Sequence, residues 1–458
     1  MDGFNSKLLD GKMKLHFVGI GGSGMFPLVQ ILHAVGYEIS GSDVNEGDII
    51  DRERKMGISV TMGHAAANVH GAELVVYTAA VTKDNPELAE AKRLGIETVE
   101  RSVLLGYVTN TYPHPICIAG THGKTTTTAM ITQVMVMAGK DPAAIIGGKL
   151  PLIDAYGRYG TGKEIVVEAC EFSNTFLRMS PFYSVILNID ADHMEFFKTM
   201  DNLKDSFRKF SLLTQNAIIA NIDDMNTVEV VSQVDRHVVT FGRNSIADYR
   251  GVNITEYRPS FFSFEIEVMG VKQEHIELNM PGEHNVYNAL AAYAAACMAG
   301  CTPNDCKRGI EAFKGAGRRF EFLGEVNGIT IADDYAHHPT ELKATLTAAK
   351  EMGYQRVWAV FQPFTYTRTE RLLDDFAQVL QIADKVVMTE IMGSRERAED
   401  YTVRTKDLAA KIPDSVWFNT FDEVVAHVMK NAQPGDLVIT LGCGDIYKAA
   451  RMMMQQGK

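Results

Sequence analysis

The stretch Pro115-Ile-Cys-Ile-Ala-Gly-Thr-His-Gly-Lys124-Thr-Thr-Thr-Thr128 decides how this chain is read. Residues 116–119 form an apolar run of the kind a buried strand presents. Gly120 and Gly123 then break it, and residues 124–138 place Ala129, Ile131, Val134, Met135 and Ala138 at helical spacing. Strand, tight loop and helix in that order make a concave anion site, because the backbone N–H groups of the loop and of the helix N-terminus converge on one point. Lys124 supplies an ammonium for phosphate and Thr125 a hydroxyl for Mg2+, so the stretch predicts a nucleoside triphosphate site. The loop is shorter than the common phosphate loop, since Ile118 rather than glycine stands six positions before Lys124.

Upstream, residues 15–19 read as a strand, Gly19-Ile-Gly-Gly-Ser-Gly24 as a turn, residues 25–35 as an amphipathic helix, and Glu38-Ile-Ser-Gly-Ser-Asp43 as a second strand. An acid about twenty residues past such glycines completes a dinucleotide-binding fingerprint in its proper context. Ala72-Glu-Leu-Val-Val-Tyr77 is a further strand, with Thr78 at its carboxyl edge. Ligands of these sheets collect at the carboxyl ends of the strands. Gly21, Gly22, Ser23, Ser42, Asp43 and Thr78 are therefore expected to converge on a pyrophosphate-containing ligand, which a dinucleotide or a UDP-linked substrate satisfies equally. A nicotinamide-dependent oxidoreductase is the rival reading, and it leaves the Lys124 loop unexplained.

Downstream, Glu164-Ile-Val-Val-Glu168 and Tyr183-Ser-Val-Ile-Leu-Asn188 are strands, the latter followed by Ile-Asp190-Ala-Asp192-His193. Carboxylates at the ends of strands beside a phosphate loop are where Mg2+ ligands are needed, and Glu168 is the best candidate. By chemistry alone Asp190 and Asp192 rank above His193, because Mg2+ prefers oxygen. Residues 248–278 alternate in short period, as appended antiparallel strands would. Pro281-Gly-Glu-His-Asn285-Val-Tyr-Asn288 then opens an Ala-rich helix.

A third strand–helix alternation begins at Arg318-Arg319. Its first strand is Ile329-Thr-Ile-Ala-Asp333, its loop Asp334-Tyr335-Ala-His337-His338-Pro339 and its helix 340–352, with further strands at 357–361, 386–391, 416–418 and 437–441. The fold class is α/β with three domains. Residues 1–111 form an N-terminal Rossmann-like domain for a pyrophosphate-containing ligand, 112–317 a central P-loop domain with a mixed sheet for a nucleoside triphosphate, and 318–458 a C-terminal Rossmann-like domain.

Bulk properties narrow the class. A chain of 458 residues is too long for one core, and a formal charge of −12 argues against a nucleic-acid binder. No signal-peptide pattern or membrane-length apolar run occurs, so a cytoplasmic protein without membrane insertion is expected. The six cysteines suit reduced thiols. Cys297, Cys301 and Cys306 lack a fourth ligand at a recognised spacing and read as small hydrophobes.

Seven stretches in fixed order give the chain a specific likeness: Gly19 to Gly24, Gly120 to Thr125, Glu168-Ala-Cys-Glu-Phe172, Asn188 to His193, Gly282-Glu-His-Asn285, Asp333 to Pro339, and Phe361-Gln-Pro. With these the chain resembles the Mur ligase superfamily of peptidoglycan synthesis, whose phosphate loop has the short form Gly-Thr-x-Gly-Lys-Thr. The resemblance implies a three-domain enzyme that uses ATP and Mg2+ to join L-alanine to the lactyl carboxylate of UDP-N-acetylmuramate through an acyl phosphate. A tripeptide-recycling ligase of the same superfamily is the nearest alternative. Its partners would be small-molecule substrates, with no nucleic acid, and the enzyme would act as a monomer or homodimer.

Carried over residue by residue, the resemblance puts Gly120, Thr121, His122, Gly123, Lys124, Thr125 and Thr126 around the triphosphate, with Thr125, Glu168 and His193 on Mg2+. It puts Asn285 near adenine, Arg319 on the phosphates and Asp334 by the ribose. Lys124, His193, His337 and Arg368 would carry the catalysis, with Tyr335, His337 and Arg368 placing the amino acid. The sequence departs from relatives at Cys170-Glu171-Phe172, where Asp-Glu-Ser is frequent, at Phe364 and Thr365, where His and Arg are frequent, and at Thr78-Ala79, where a Ser pair is frequent.

Overall fold

The computed structural model describes residues 7–82, 84–394 and 396–456. The α/β architecture expected from the alternation is present as three sheets flanked by helices. Among the described residues no helix is long and apolar enough to cross a membrane.

The first sheet contains β1 (Lys14–Val18), β2 (Glu38–Asp43), β3 (Ser59–Met62), β4 (Leu74–Tyr77) and β5 (Glu97–Glu100), ordered β3-β2-β1-β4-β5 and parallel throughout. The chain winds from β1 outward to β3 and returns on the other side to β4. Strand order therefore reverses beside β1, and a crevice opens at its carboxyl end. The helix Phe26–Val35 begins with Pro27 in its first turn and stops at Gly36, whose φ of 107° only glycine adopts cheaply.

The second sheet contains β6 (His114–Ala119), β7 (Ala143–Leu150), β8 (Ala155–Arg158), β9 (Glu164–Glu168), β10 (Tyr183–Ile186), β11 (Ala217–Asn221), β12 (Val238–Gly242), β13 (Tyr249–Arg258), β14 (Phe261–Val268) and β15 (Val271–Pro281). Their order is β15-β14-β13-β12-β11-β10-β6-β9-β7-β8. Strand β6 lies between β10 and β9, parallel to both, and is buried from Pro115 onward, which is why its sequence is an unbroken apolar run. The short-period alternation of residues 248–278 is β13 to β15, extending this sheet. The strand expected over 183–188 ends at Ile186, because Leu187 and Asn188 leave the ladder to hold the phosphate loop.

The third sheet contains β16 (Glu321–Val326), β17 (Ile329–Asp334), β18 (Val357–Phe361), β19 (Lys385–Thr389), β20 (Val416–Phe418) and β21 (Leu437–Leu441), ordered β16-β17-β21-β18-β19-β20. Only β16 runs antiparallel to its neighbour.

The described chain packs as two compact units. One comprises the chain up to Val252 with Glu265–Ile276 and Tyr287–Ala312; the other comprises Asn253–Phe264, Glu277–Val286 and the chain from Phe313 onward. In the first unit a single apolar cluster joins residues of the first sheet, such as Phe17 and Val76, to residues of the second, such as Cys117, Phe176 and Phe207. In the second unit two clusters cover opposite faces of the third sheet, with Ala359 and Ile439 in one and Trp358 and Val438 in the other.

The helix Lys124–Met137 that follows the phosphate loop is buried from Thr125 to Met135. Its apolar and threonine side chains all find cover because helix Pro303–Glu311 packs against it. Gly309 permits that approach: a Cβ there would lie 2.6 Å from the Val134 Cα, and the Gly309 carbonyl accepts from Gln133 Nε2 at 2.9 Å.

Candidate active site

The phosphate loop is shaped by glycine and braced by asparagine. Gly120 and Gly123 have φ of 138° and 84°, so the loop turns without Cβ strain. A side chain at Gly123 would also collide with Asn288, whose Oδ1 lies 2.4 Å from the Cβ position. Asn188 clamps the loop from β10: its backbone carbonyl accepts from Thr121 N at 3.0 Å, its Oδ1 from His122 N at 2.8 Å, and its Nδ2 donates to the His122 carbonyl at 3.1 Å. Thr121 Oγ1 exchanges hydrogen bonds with the Asp190 backbone, and His122 Nε2 lies 3.3 Å from Asp190 Oδ2. With the loop fixed this way, the first-turn N–H groups of Lys124, Thr125 and Thr126, which a helix leaves without internal partners, point out of the helix end.

Lys124 does not reach outward. Its Nζ folds back onto the carbonyls of Gly120 (2.5 Å) and Thr121 (3.0 Å) and onto both oxygens of Glu171 (3.3 and 3.1 Å). Burial opposes the ammonium, but Glu171, with Cys170 and Glu168 nearby, holds its pKa above the ordinary lysine value.

The metal-ligand candidates stand around this loop. Thr125 is buried at the helix start. Glu168 ends β9 and accepts from Gly147 N at 2.5 Å. His193 has φ 55° at the start of the short helix Met194–Phe197, its backbone N–H donates to Asp192 Oδ1 at 2.7 Å, and its ring packs 4.7 Å from the Phe172 ring. Phe172 therefore packs against the imidazole, and Glu171 places a carboxylate beside Cys170.

At the first sheet, Gly21 N donates to Asp43 Oδ2 at 2.9 Å, while Val44 N and Asn45 N donate to Oδ1. Both oxygens of the fingerprint acid are thus engaged by backbone and hold the glycine turn. Ser42 is fully buried and donates to Glu87 Oε2 at 2.7 Å, inside the fold. Gly22 and Ser23 are exposed on the turn, and Thr78 packs close to Gly19, where a Cβ would lie 2.6 Å from its Cγ2. Sequence reasoning missed Arg101, whose guanidinium carbon lies 3.5 Å from the Cβ position of Gly24 and brings a cation to this turn.

In the second unit the polar loop after β17 is organised by Arg318 and Asp334. Arg318 Nε donates to Asp333 Oδ2 at 2.9 Å, and its other nitrogens donate to the carbonyls of Gly442 and Gly444. Asp334 accepts from the backbone N–H groups of Phe320 and Ala336, each at 2.7 Å. Burial pushes its carboxyl up to about 6, against Arg319 and those two donors. The Arg319 guanidinium lies 4.9 Å from the Tyr335 ring centre. Asn285 Nδ2 donates to the Pro281 carbonyl at 2.7 Å.

The two histidines of this loop separate by role. His338 caps helix Pro339–Glu351, its Nδ1 accepting from Thr340 N at 3.4 Å. His337 Nδ1 faces the Tyr335 carbonyl at 3.0 Å. Glu341 Oε2 lies 3.3 Å from the same nitrogen; both partners only accept, so Nδ1 is the nitrogen that donates. Phe364 packs edge-on to His337 at 6.4 Å, and Arg368 is half-buried on helix Tyr366–Arg371.

Asn188, Asn288, Gly147 and Glu171 also escaped assignment from sequence. Asn188, Asn288 and Glu171 lie within stretches already singled out and Gly147 lies in none, and a bracing group has no spacing rule of its own.

Three family descriptions match in succession: "Mur ligase family, catalytic domain" over residues 14–113, "Mur ligase middle domain" over 118–296, and "Mur ligase, glutamate ligase domain" over 318–444. A relative from Acetivibrio thermocellus named UDP-N-acetylmuramate--L-alanine ligase is 43% identical, covering 96% of this chain and 95% of its own. One of the same name from Caldanaerobacter subterraneus subsp. tengcongensis is 41% identical, covering 97% and 98%. Among solved structures, UDP-N-acetylmuramate-alanine ligase from Thermotoga maritima superposes with a TM-score of 0.83 at 28% identity, covering 97% of this chain and 99% of that one. A murein peptide ligase from Psychrobacter arcticus shares the fold, with a TM-score of 0.77 at 24% identity over 97% and 98%. With the phosphate loop, the strand-end acids and the three matched domains in order along its length, the chain belongs to the Mur ligase family.

Proposed function

We propose that the chain joins L-alanine to the lactyl carboxylate of UDP-N-acetylmuramate at the expense of ATP, giving UDP-N-acetylmuramoyl-L-alanine, ADP and phosphate in the cytoplasm. The observation that carries this reading is the braced loop around Lys124, set in a chain alike over its full length to relatives bearing that name. A nicotinamide enzyme is disfavoured because it leaves the Lys124 loop without a role and the relatives alike over the full length bear a ligase name.

In this reading residues 1–111 bind the UDP-sugar, 112–317 bind ATP and 318–458 bind the amino acid. A carboxylate is a poor acylating agent, and phosphorylation by ATP supplies its leaving group as an acyl phosphate. Lys124 and the helix N-terminus neutralise the phosphates as charge moves between them. Thr125 and Glu168 offer oxygen donors suited to Mg2+. Among the described residues no group of three or more His, Cys, Asp and Glu is gathered as a metal site. His193 is the third ligand the family resemblance names. When bound, Mg2+ offsets phosphate charge. Arg368 would hold the amino-acid carboxylate, and His337 Nε2 would take a proton from its ammonium so that the amine can attack.

The test is phosphate release from ATP with UDP-N-acetylmuramate, screening L-alanine, other amino acids and the L-alanyl-γ-D-glutamyl-meso-diaminopimelate tripeptide. L-Alanine should give the largest release, and Lys124→Ala should abolish it. Release driven by tripeptide alone, or undiminished in Lys124→Ala, would overturn the reading.

A further inference from the structure

Glu171 sits where the fold would be expected to spare an acid: beside the one lysine meant for phosphate. Its side chain is 1% exposed, and among the described residues the only hydrogen bonds to its carboxylate come from Lys124 Nζ. A buried carboxylate without a cation is costly, so each of the two charges depends on the other. The Glu171 backbone is held in place. Its carbonyl accepts from Asn174 N at 2.9 Å, and Ser173 and Asn174 both adopt left-handed conformations (φ 54° and 58°) that turn the chain immediately after it. Lys124 is the movable partner, a long side chain 16% exposed whose Nζ is otherwise bound by two carbonyl oxygens at the base of its own loop.

We propose that Glu171 is a positioning residue that latches Lys124 while the loop is empty, so that nucleotide binds by exchanging phosphate oxygens for the Glu171 carboxylate. The latch rests on the ATP-site reading given above. It keeps the ammonium charged and folded back, and it sets a negative charge against any anion arriving without a cation. Bare anions are therefore held weakly, and the binding-competent lysine is released only when a ligand replaces what Glu171 provides.

The experiment is ADP titration by calorimetry in EDTA, with melting temperature read in parallel, on wild type, Glu171→Gln and Glu171→Asp. Glu171→Gln keeps the size and one acceptor but removes the charge, and it should bind ADP about tenfold tighter than wild type. Glu171→Asp keeps the charge with a shorter reach and should gain less. A merely structural role moves affinity the other way, so unchanged or weaker ADP binding by a folded Glu171→Gln overturns the latch. Should that variant not fold, an unchanged affinity in Glu171→Asp overturns it instead. Wild type that binds no ADP would sink the ATP-site reading together with the latch, whereas wild-type binding with no gain in the variants sinks the latch alone.

Discussion

Gly147→Ala separates chemistry from stability at this site. Gly147 lies in β7, is exposed, and donates its N–H to Glu168 Oε1. A Cβ added there would meet Glu168 Oε2 at 2.7 Å and Oε1 at 2.8 Å, distances that real Cβ atoms do not sustain. The three atoms nearest that Cβ all belong to the Glu168 carboxylate, so it is the carboxylate that retreats, by about 0.7 Å to ordinary contact, and loses its backbone donor. Displacing a metal-ligating or charge-bearing group by a large fraction of an ångström costs on the order of tenfold to a hundredfold in rate. The backbone at Gly147 is not left-handed, so alanine also removes some freedom from the unfolded chain, and stability should hold or rise by up to about 1 kcal/mol. The assay is steady-state phosphate release across a Mg2+ titration, beside thermal unfolding. The expected result is a kcat lower by at least about tenfold and a higher Mg2+ requirement, with Tm preserved. Wild-type kcat and Mg2+ dependence in the variant would show that Glu168 does not serve the reaction from where it stands.

Two further outcomes follow from the site and its surroundings. His337→Ala should cut L-alanine-dependent turnover while leaving Tm near wild type, and His338→Ala should lower stability by about 1 kcal/mol, the worth of a helix cap, with turnover largely kept; the reverse pattern would exchange the two assignments. Glu53 is fully buried with neither carboxylate oxygen hydrogen-bonded, and burial, reinforced by Asp43, pushes its pKa up from 4.5 to about 8. Between those values the folded state holds a proton that the unfolded chain releases, so this contribution to stability falls as pH rises and levels off above the folded value, with a slope of up to about 1.4 kcal/mol per pH unit. Glu53→Gln should flatten that slope in denaturant unfolding between pH 5 and 8, and parallel curves for the two proteins would refute it.

Much of the architecture could be read directly from sequence, because its signals are local. An apolar run ending in Gly120 and Gly123 before a helical period reads as a central strand feeding a tight turn and a helix, and β6 with helix Lys124–Met137 took that form. The glycines of residues 19–24, with Asp43 after the next strand, specified the first parallel sheet, although Asp43 proved to hold the turn itself. What the chain as a linear string determined is therefore the order of strands and helices, the place of the glycine loop around Lys124, and the family likeness. What only the tertiary structure decided is which polar groups are already engaged: Ser42 with Glu87, Asp334 with two backbone donors, His338 with a helix end, Lys124 with Glu171. The physical reason is that periodicity and turn chemistry act over a few residues. The partner of a buried charge or amide, by contrast, is set by packing between segments 47 residues apart, as for Lys124 and Glu171, or 66, as for His122 and Asn188, and no local pattern encodes that pairing.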